Sequence, residues 1–525
     1  MKENNICFLK TTFVKVISFF KAHRITASFI CGMIFAAPFF REWLFPLTFL
    51  SLLCFFYLTN AEESKKKSRF IYYFAFFFGV FISVYTLFFK LYPFEGFDFS
   101  PLVGKIIVIF GWLGASLIHS VMGGVILGIS KHFKKSPLLY ALSCGALWVI
   151  FEFSQTLGFL AFPWVNVSLS LVKFLPFLQT ASLFGNGIIT FIVVFSCCIA
   201  SFYFIHPDKK IYLKIASAVM ASNLALGCIL FVIPEIKDKE VNVLIVQGNV
   251  QMGEKWEADR LKTILINHEK LIRDNLANEN ADIVLLAETV FPAVYTENGL
   301  IYQTMSKIAK DFDVTVMFGV LLKSDKEETI NAIMAIYPDG TETPYYTKRK
   351  LVPFGEKLPS IDILGTIVPS LKELNRVSSY VEGTDAVIIN SHTNVKYGPL
   401  VCYDSVFPEL ARENVLLGAE ILAVSTNDSW YKDGGAVYQH QKQSIIRAIE
   451  TGRYVFRSGN TGISCIITSK GIVTAESEIQ TKAIILGKGY TSNRKTLFVL
   501  LGNSSLYLSF GVILGLIYIK IKKRL

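Results

Sequence analysis

The feature that most constrains this chain is an uneven distribution of its apolar residues. They form long runs before about residue 235 and again after 496, while the stretch between reads as ordinary globular sequence. With 52% hydrophobic residues, only 18% charged ones and 45 Phe in 525 positions, much of the chain belongs in lipid. A span needs roughly 20 mostly apolar residues. Candidates lie near 25–40, 43–59, 70–90, 105–129, 138–157, 183–205, 212–233 and 497–519. The first two are short and close together, and Arg41 and Glu42 prefer water, so a helical hairpin turning around Pro38 to Glu42 is expected.

The net charge of +11 does not point to nucleic acid, because the Lys/Arg clusters sit in short loops between apolar runs, where membrane topology explains them. Lys10, Lys15, Lys21 and Arg24 precede the first span, and Lys65, Lys66, Lys67 and Arg69 follow the second. Lys131, Lys134 and Lys135 follow the fourth, Lys209, Lys210 and Lys214 the sixth, and Lys520, Lys522, Lys523 and Arg524 close the chain. The cytoplasmic side carries such an excess, which places both termini inside and the globular segment outside. Three parts are expected: a bundle of about seven spans over 1–235, an extracytoplasmic domain over 236–490, and a last helix with a basic tail over 491–525. Lysines interrupt the apolar residues of Met1 to Arg24, so the first span is expected to be an uncleaved anchor. The nine cysteines do not form a disulfide framework: Cys7 precedes the first span, and Cys31, Cys54, Cys144, Cys197, Cys198 and Cys228 fall in or beside apolar runs, where a thiol behaves as a small hydrophobe. Cys402 and Cys465 remain for the globular part and are expected to be unpaired. No spacing suggests a metal or other cofactor.

The globular segment alternates strand and helix. Strands are expected at 241–246, 283–287, 314–321, 330–337, 385–390, 398–402 and 420–425; helices at 256–276, 301–311 and 438–451; and a Gly-punctuated hairpin at 462–474. This is one α/β domain, and in such sheets reactive groups collect at the carboxyl ends of strands. Glu288 and Cys402 both stand there.

Cys402, in Gly-Pro-Leu-Val-Cys-Tyr-Asp, stands where a strand gives way to a probable helix start, which favours thiolate; taken alone, a packed core cysteine is the commoner outcome. Glu288 closes the apolar run Asp-Ile-Val-Leu-Leu-Ala and is expected to be partly desolvated, with a raised pKa suited to proton transfer. A solvated strand-end carboxylate is the plain alternative. Tyr346 to Glu356 packs three cations, an apolar turn and a carboxylate into eleven positions, and its run Leu351 to Gly355 can turn one lysine inward as an oxyanion partner.

Glutamate after a strand, then Lys-x-x-Leu-Val-Pro-Phe-Gly-Glu, then Cys-Tyr-acid at a later strand end, resembles the nitrilase superfamily and, within it, the apolipoprotein N-acyltransferases. Leu244 to Gly248, Lys255-Trp256, Thr426 to Trp430, Gln439-His440, Arg457 to Gly462, Ala146 to Trp148, Glu152-Phe153 and Phe162-Pro163-Trp164 extend the resemblance over nearly the whole chain. It implies an α-β-β-α sandwich beside a bundle of about eight spans, with Cys402 as nucleophile, Glu288 as general base and Lys348 as oxyanion partner. Glu356, Trp256, Tyr403 and Asp404 match supporting positions. A phospholipid acyl donor, diacylglyceryl-modified apolipoprotein acceptors, a thioester intermediate, a monomer and the bacterial cytoplasmic membrane are implied as well. Ala287 and Asp404 depart from the pattern, which usually has Pro and Glu there; the shorter carboxylate leaves the role of Asp404 open.

A membrane-tethered amidase acting on a small carbon-nitrogen substrate shares these residues. A Cys-His hydrolase based on His268, His392 or His440 and a transporter with an external binding domain are further alternatives. Leu358 to Leu371, apolar and broken by Pro359, Gly365 and Pro369, suits either an arm at the membrane interface or a core helix.

Overall fold

The computed structural model describes residues 22–61, 69–93, 100–256, 259–353, 355–357, 380–432 and 434–522. The Leu358 to Leu371 stretch, Cys7, Lys10, Lys15, Lys21, Lys65 to Lys67, Lys523 and Arg524 lie outside them.

Seven apolar helices precede the globular stretch: α1 (Arg24–Phe40), α2 (Pro46–Asn60), α3 (Arg69–Val84), α4 (Pro101–Gly128), α5 (Pro137–Ser154), α6 (Gly187–Ile205) and α7 (Ile211–Val232). Among the described residues, six apolar helices, counting one near the end of the chain, are long enough to cross a membrane. The helices α1 and α2, with 17 and 15 residues, are shorter, and the turn between them runs through Arg41 to Phe45 with Pro38 still helical. α1 and α3 meet backbone to backbone. A Cβ on Gly32 would sit 1.9 Å from the Phe76 carbonyl oxygen, and one on Gly79 2.1 Å from that of Phe29, so only glycine permits this approach.

The α/β part holds two six-stranded sheets. One has the order β12-β1-β2-β3-β4-β5, with β1 (Glu240–Gln247), β2 (Ile283–Leu285) and β3 (Thr315–Lys323) parallel and β4 (Thr329–Ile336), β5 (Tyr346–Thr347) and β12 (Ala483–Tyr490) antiparallel. The other has the order β11-β10-β9-β8-β7-β6. Its centre is parallel, from β7 (Lys396–Val401), β8 (Ile421–Thr426) and β9 (Tyr454–Gly459); β6 (Ile389–Asn390), β10 (Cys465–Ile467) and β11 (Val473–Glu476) are antiparallel. Alternate residues such as Val243, Ile245 and Met317 from one sheet and Val401, Ile421 and Phe456 from the other form the core between them, as period-two strands require. The outer face of the first sheet carries α8 (Arg260–Leu276) and α9 (Leu300–Phe312). That of the second carries α10 (Pro408–Leu416) and α11 (Gly435–Thr451), giving the expected α-β-β-α sandwich. Residues of this last layer, including Leu410, Val437 and Ile446, share one buried cluster with Phe35, Phe76 and Trp148 of the bundle. The helix layer is therefore also the seat of the sandwich on the membrane helices.

Several expectations need correction. The helix expected at 256–276 starts only at Arg260, after Asp259 at φ 67°, and a separate short turn, Met252–Lys255, precedes it. The last span, α12 (Ser504–Lys522), starts later than expected, because Gly502 at φ 69° ends a separate short helix, Leu497–Leu501. The strand expected at 385–390 shrinks to β6. Strands β5, β9 and β12 escaped the periodicity; β12 carries Gly487, Lys488 and Gly489 and is half-exposed at a sheet edge.

Candidate active site

Leu286 continues the line of β2 by donating its N–H to the Met317 carbonyl, and Glu288 follows two residues later, buried. One carboxylate oxygen accepts from Lys348 Nζ at 2.9 Å and Asn331 Nδ2 at 2.8 Å; the other accepts from the Asn427 backbone N–H at 2.9 Å. Lys348 follows β5 and also donates to Glu356 at 2.7 Å, and the second oxygen of Glu356 accepts from the Val352 N–H at 2.9 Å. The Lys348 side chain is 1% exposed. Cys402 ends β7 at φ 50°, on the first residue of a 3-10 turn (Cys402–Val406), within electrostatic reach of Glu288 and Lys348. The structure therefore brings the three sequence-selected residues together.

Their ionisation differs from the sequence expectation in two places. Burial pushes Glu288 up, but the Lys348 ammonium and the hydrogen bonds to Lys348 and Asn331 outweigh it, so the carboxyl is held below its ordinary value. Cys402 goes the other way. The turn after it is too short to act as a helix dipole, and burial, reinforced by the Glu288 charge, pushes its thiol well up against the pull of Lys348. Lys348 keeps its proton, because Glu288 and Glu356 outweigh its desolvation.

The supporting positions divide. Asp404 is fully buried and acts on the lysine loop: it accepts from Tyr346 Oη at 2.9 Å, the Lys350 N–H at 2.7 Å and the Arg349 N–H at 3.2 Å. Burial raises its carboxyl to about 6, against the pull of Lys348 and these hydrogen bonds. Tyr403 faces the bundle, donating to the Ala161 carbonyl at 2.8 Å and stacking on Phe162 at 6.1 Å between ring centroids. Trp256, 44% exposed, stands beside Lys255 at the rim. Ala287 is buried and accepts the Gly319 N–H.

Three groups take roles that the sequence did not assign to them. Asn331 and Asn427 hold Glu288, and only the second lies in a recognisable motif. Lys255 donates to Thr289 Oγ1 at 2.9 Å. Behind Cys402, His440 Nδ1 lies 2.7 Å from Asp428, and Arg457 donates to the other Asp428 oxygen at 3.0 Å. Cys402, Asp428 and His440 bring three potential ligand atoms within 4.8 Å of one another. Both Asp428 oxygens are engaged by its neighbours, one of them a guanidinium, so this donor set fits an internal ion-pair network rather than a cation. His440 Nε2 lies 3.1 Å from the Cys402 carbonyl oxygen. His268 bonds to the Ile264 carbonyl and His392 to Thr315.

The family described as Carbon-nitrogen hydrolase matches residues 245–488, and that described as Apolipoprotein N-acyltransferase N-terminal domain matches 31–199. The apolipoprotein N-acyltransferase of Haemophilus influenzae is 27% identical over 491 residues, 90% of either chain. That of Vibrio cholerae is 23% identical over 498 residues, 94% of this chain and 96% of its own. Among solved structures, Nit3 of Saccharomyces cerevisiae, a member of branch 10 of the nitrilase superfamily, is 18% identical, covering 49% of this chain and 92% of its own at a TM-score of 0.38. The site and sandwich are those of a carbon-nitrogen hydrolase fold joined to membrane helices. The chain is similar to the apolipoprotein N-acyltransferases over nearly its whole length, and it is an acyltransferase enzyme.

Proposed function

We propose that the protein moves an acyl chain from a membrane phospholipid, through a thioester on Cys402, to the amino-terminal amine of diacylglyceryl-cysteine apolipoproteins. The observation that carries this reading is the buried Glu288–Lys348–Glu356 ion-pair chain next to a strand-end thiol whose neighbour, Tyr403, is bonded to the bundle. Glu288, held ionised, takes the thiol proton as sulfur attacks the ester carbonyl, and Lys348 stabilises the tetrahedral oxyanion. Glu288 returns that proton to the departing lysophospholipid oxygen. In the second half, Glu288 accepts a proton from the attacking amine and passes it to the leaving Cys402 sulfur. A thiolate leaves more readily than an alkoxide, so the thioester stays open to an amine.

The same reading divides the chain into a bundle over 1–235, a catalytic domain over 236–490 and a final helix with its tail over 491–525. The lysine-rich loops put the residues before the first helix and after the last on the cytoplasmic side of a bacterial inner membrane, with the catalytic domain on the outer face and the enzyme a monomer. Mass spectrometry of lipoprotein amino termini, with wild type and Cys402→Ala, tests the function: a third acyl chain is expected with the first and not with the second. Normal N-acylation by Cys402→Ala overturns it. Acyl-enzyme from small amides but not from phospholipid favours a tethered amidase instead.

A further inference from the structure

The chain immediately after Glu288 is under backbone strain. Thr289 takes φ 41°, a region that β-branched residues rarely enter. Gly319 of β3 lies against this turn: a Cβ there would be 2.5 Å from the Thr289 nitrogen and 2.7 Å from the Ala287 oxygen. The other side is held by Lys255, at the end of the Met252–Lys255 turn, whose Nζ donates to Thr289 Oγ1 at 2.9 Å. Lys255 is 1% exposed, and a buried ammonium is costly unless something requires it.

The charges give a reason. Glu288 and Glu356 bring two potential negative charges to the site and Lys348 one positive charge; Lys255 is a second buried ammonium, in the field of Glu288. Without it, Lys348 alone faces Glu288 and Glu356, the second of which burial pushes up, and ionising the thiol adds a negative charge to the set. Resting on the reading of Cys402 as nucleophile, we propose that Lys255 is a positioning residue for the reaction. It fastens the strained Thr289 turn that aims Glu288 and supplies the second positive charge against which negative charge develops at Cys402.

Burial lowers the Lys255 amine to about 8, opposed by Glu288, so it is charged below that pH and neutral above it. The groups facing it are few. From α8 comes His268, lowered to about 4 by its burial and so neutral near pH 7; from the strand end come Glu288 and Thr289. Lys482 faces His268, and Lys348, Glu356 and Cys402 stand beyond Glu288.

The test follows alkylation of Cys402 by iodoacetamide, read by peptide mass spectrometry on the full chain in nanodiscs, from pH 6 to 10, beside phospholipid-to-lipopeptide transfer. Wild type is expected to depart from a single ionisation near pH 8. Lys255→Met is expected to alkylate about tenfold more slowly at pH 7, to follow one ionisation displaced upward, and to melt no lower than wild type, since a buried charge has gone. Lys255→Arg is expected to restore the rate and lose the inflection. Thr289→Val keeps the charge, so its alkylation profile should match wild type while transfer falls. Lys255→Met within twofold of wild type in alkylation overturns the charge role. A slow Lys255→Met that also melts lower, unrescued by Lys255→Arg, reduces the residue to packing. Wild-type transfer by Thr289→Val overturns the positioning role. Transfer by Cys402→Ala would sink the nucleophile reading, whereas the alkylation profile would still decide the electrostatic one.

Discussion

Tyr403, the residue after Cys402, donates its hydroxyl to the carbonyl of Ala161 at 2.8 Å, tying the reactive strand end to a loop between two bundle helices. Its ring stacks on Phe162, whose ring in turn stacks on Trp164, and the Trp164 indole N–H donates to Gln439 of α11 at 2.6 Å. The sandwich is thus fastened to the membrane helices beside Cys402, where the proposed acyl donor would arrive. Removing the hydroxyl alone deletes one hydrogen bond, about 0.5–1.5 kcal/mol. Tyr403→Phe is expected to lower kcat/KM for phospholipid roughly threefold to tenfold through KM. Steady-state kinetics in mixed micelles checks it; an unchanged KM removes this contact from substrate entry.

The three cations of the lysine loop have separate fates. Lys348 is buried between Glu288 and Glu356, Arg349 pairs with Glu413 at 2.7 Å, and Lys350 lies over the Phe407 ring at 5.1 Å. Lys348→Met leaves two carboxylates buried without their cation, a loss of about 3–5 kcal/mol. It is expected to abolish transfer and lower Tm, whereas Lys350→Ala keeps most activity. A dead Lys350→Ala beside an active Lys348→Met would show that the wrong lysine carries the chemistry.

Gly319 has no room for a methyl group, since the added atom would overlap the backbone on both sides of Glu288. Gly319→Ala must push that strand end away, and displacement of a base by even 1 Å costs about a hundredfold. Single-turnover acyl-enzyme formation is expected to fall by about that factor. A rate near wild type would mean that the turn yields without moving Glu288.

Asp428 governs acid stability behind Cys402. Burial pushes its carboxyl up, but His440 and Arg457 pull it from 3.8 down to about 2. Its contribution, about 2 kcal/mol, is therefore complete above pH 3.8 and lost as the pH falls through 2. Asp428→Asn, which leaves the Arg457 guanidinium buried without its anion, should melt lower at pH 7 and lack this acid-dependent part. Thermal unfolding between pH 5 and 2 measures the difference in slope; parallel curves for the two proteins would contradict it.

Much was legible in the residues themselves. Apolar runs located eight apolar helices, six of them long enough to cross a membrane among the described residues and most placed to within a few residues, because burial in lipid demands uninterrupted side-chain chemistry that no folding detail can replace. Alternation located most of the strands, and Glu288, Lys348 and Cys402 were marked by strand ends and by the Lys-to-Glu run. The edge strand β12 was not legible, since its pairing with β1 rests on backbone hydrogen bonds to which its glycines contribute no pattern.

Ionisation was decided by the tertiary structure alone. The sequence placed a carboxylate and a thiol at strand ends and suggested a raised glutamate and an activated cysteine; the fold reverses both, because the Lys348 ammonium, 60 residues away, holds Glu288 down, while burial and the Glu288 charge push the Cys402 thiol up. The same holds for Asp404, whose shorter carboxylate finds its role in clamping the Lys350 loop, and for Lys255, a lysine of a matching segment without an assigned role until its bond to Thr289 was seen. Hydrophobic periodicity is a local property and can be read along the chain, whereas the energy of a buried charge depends on which distant groups share its low-dielectric surroundings.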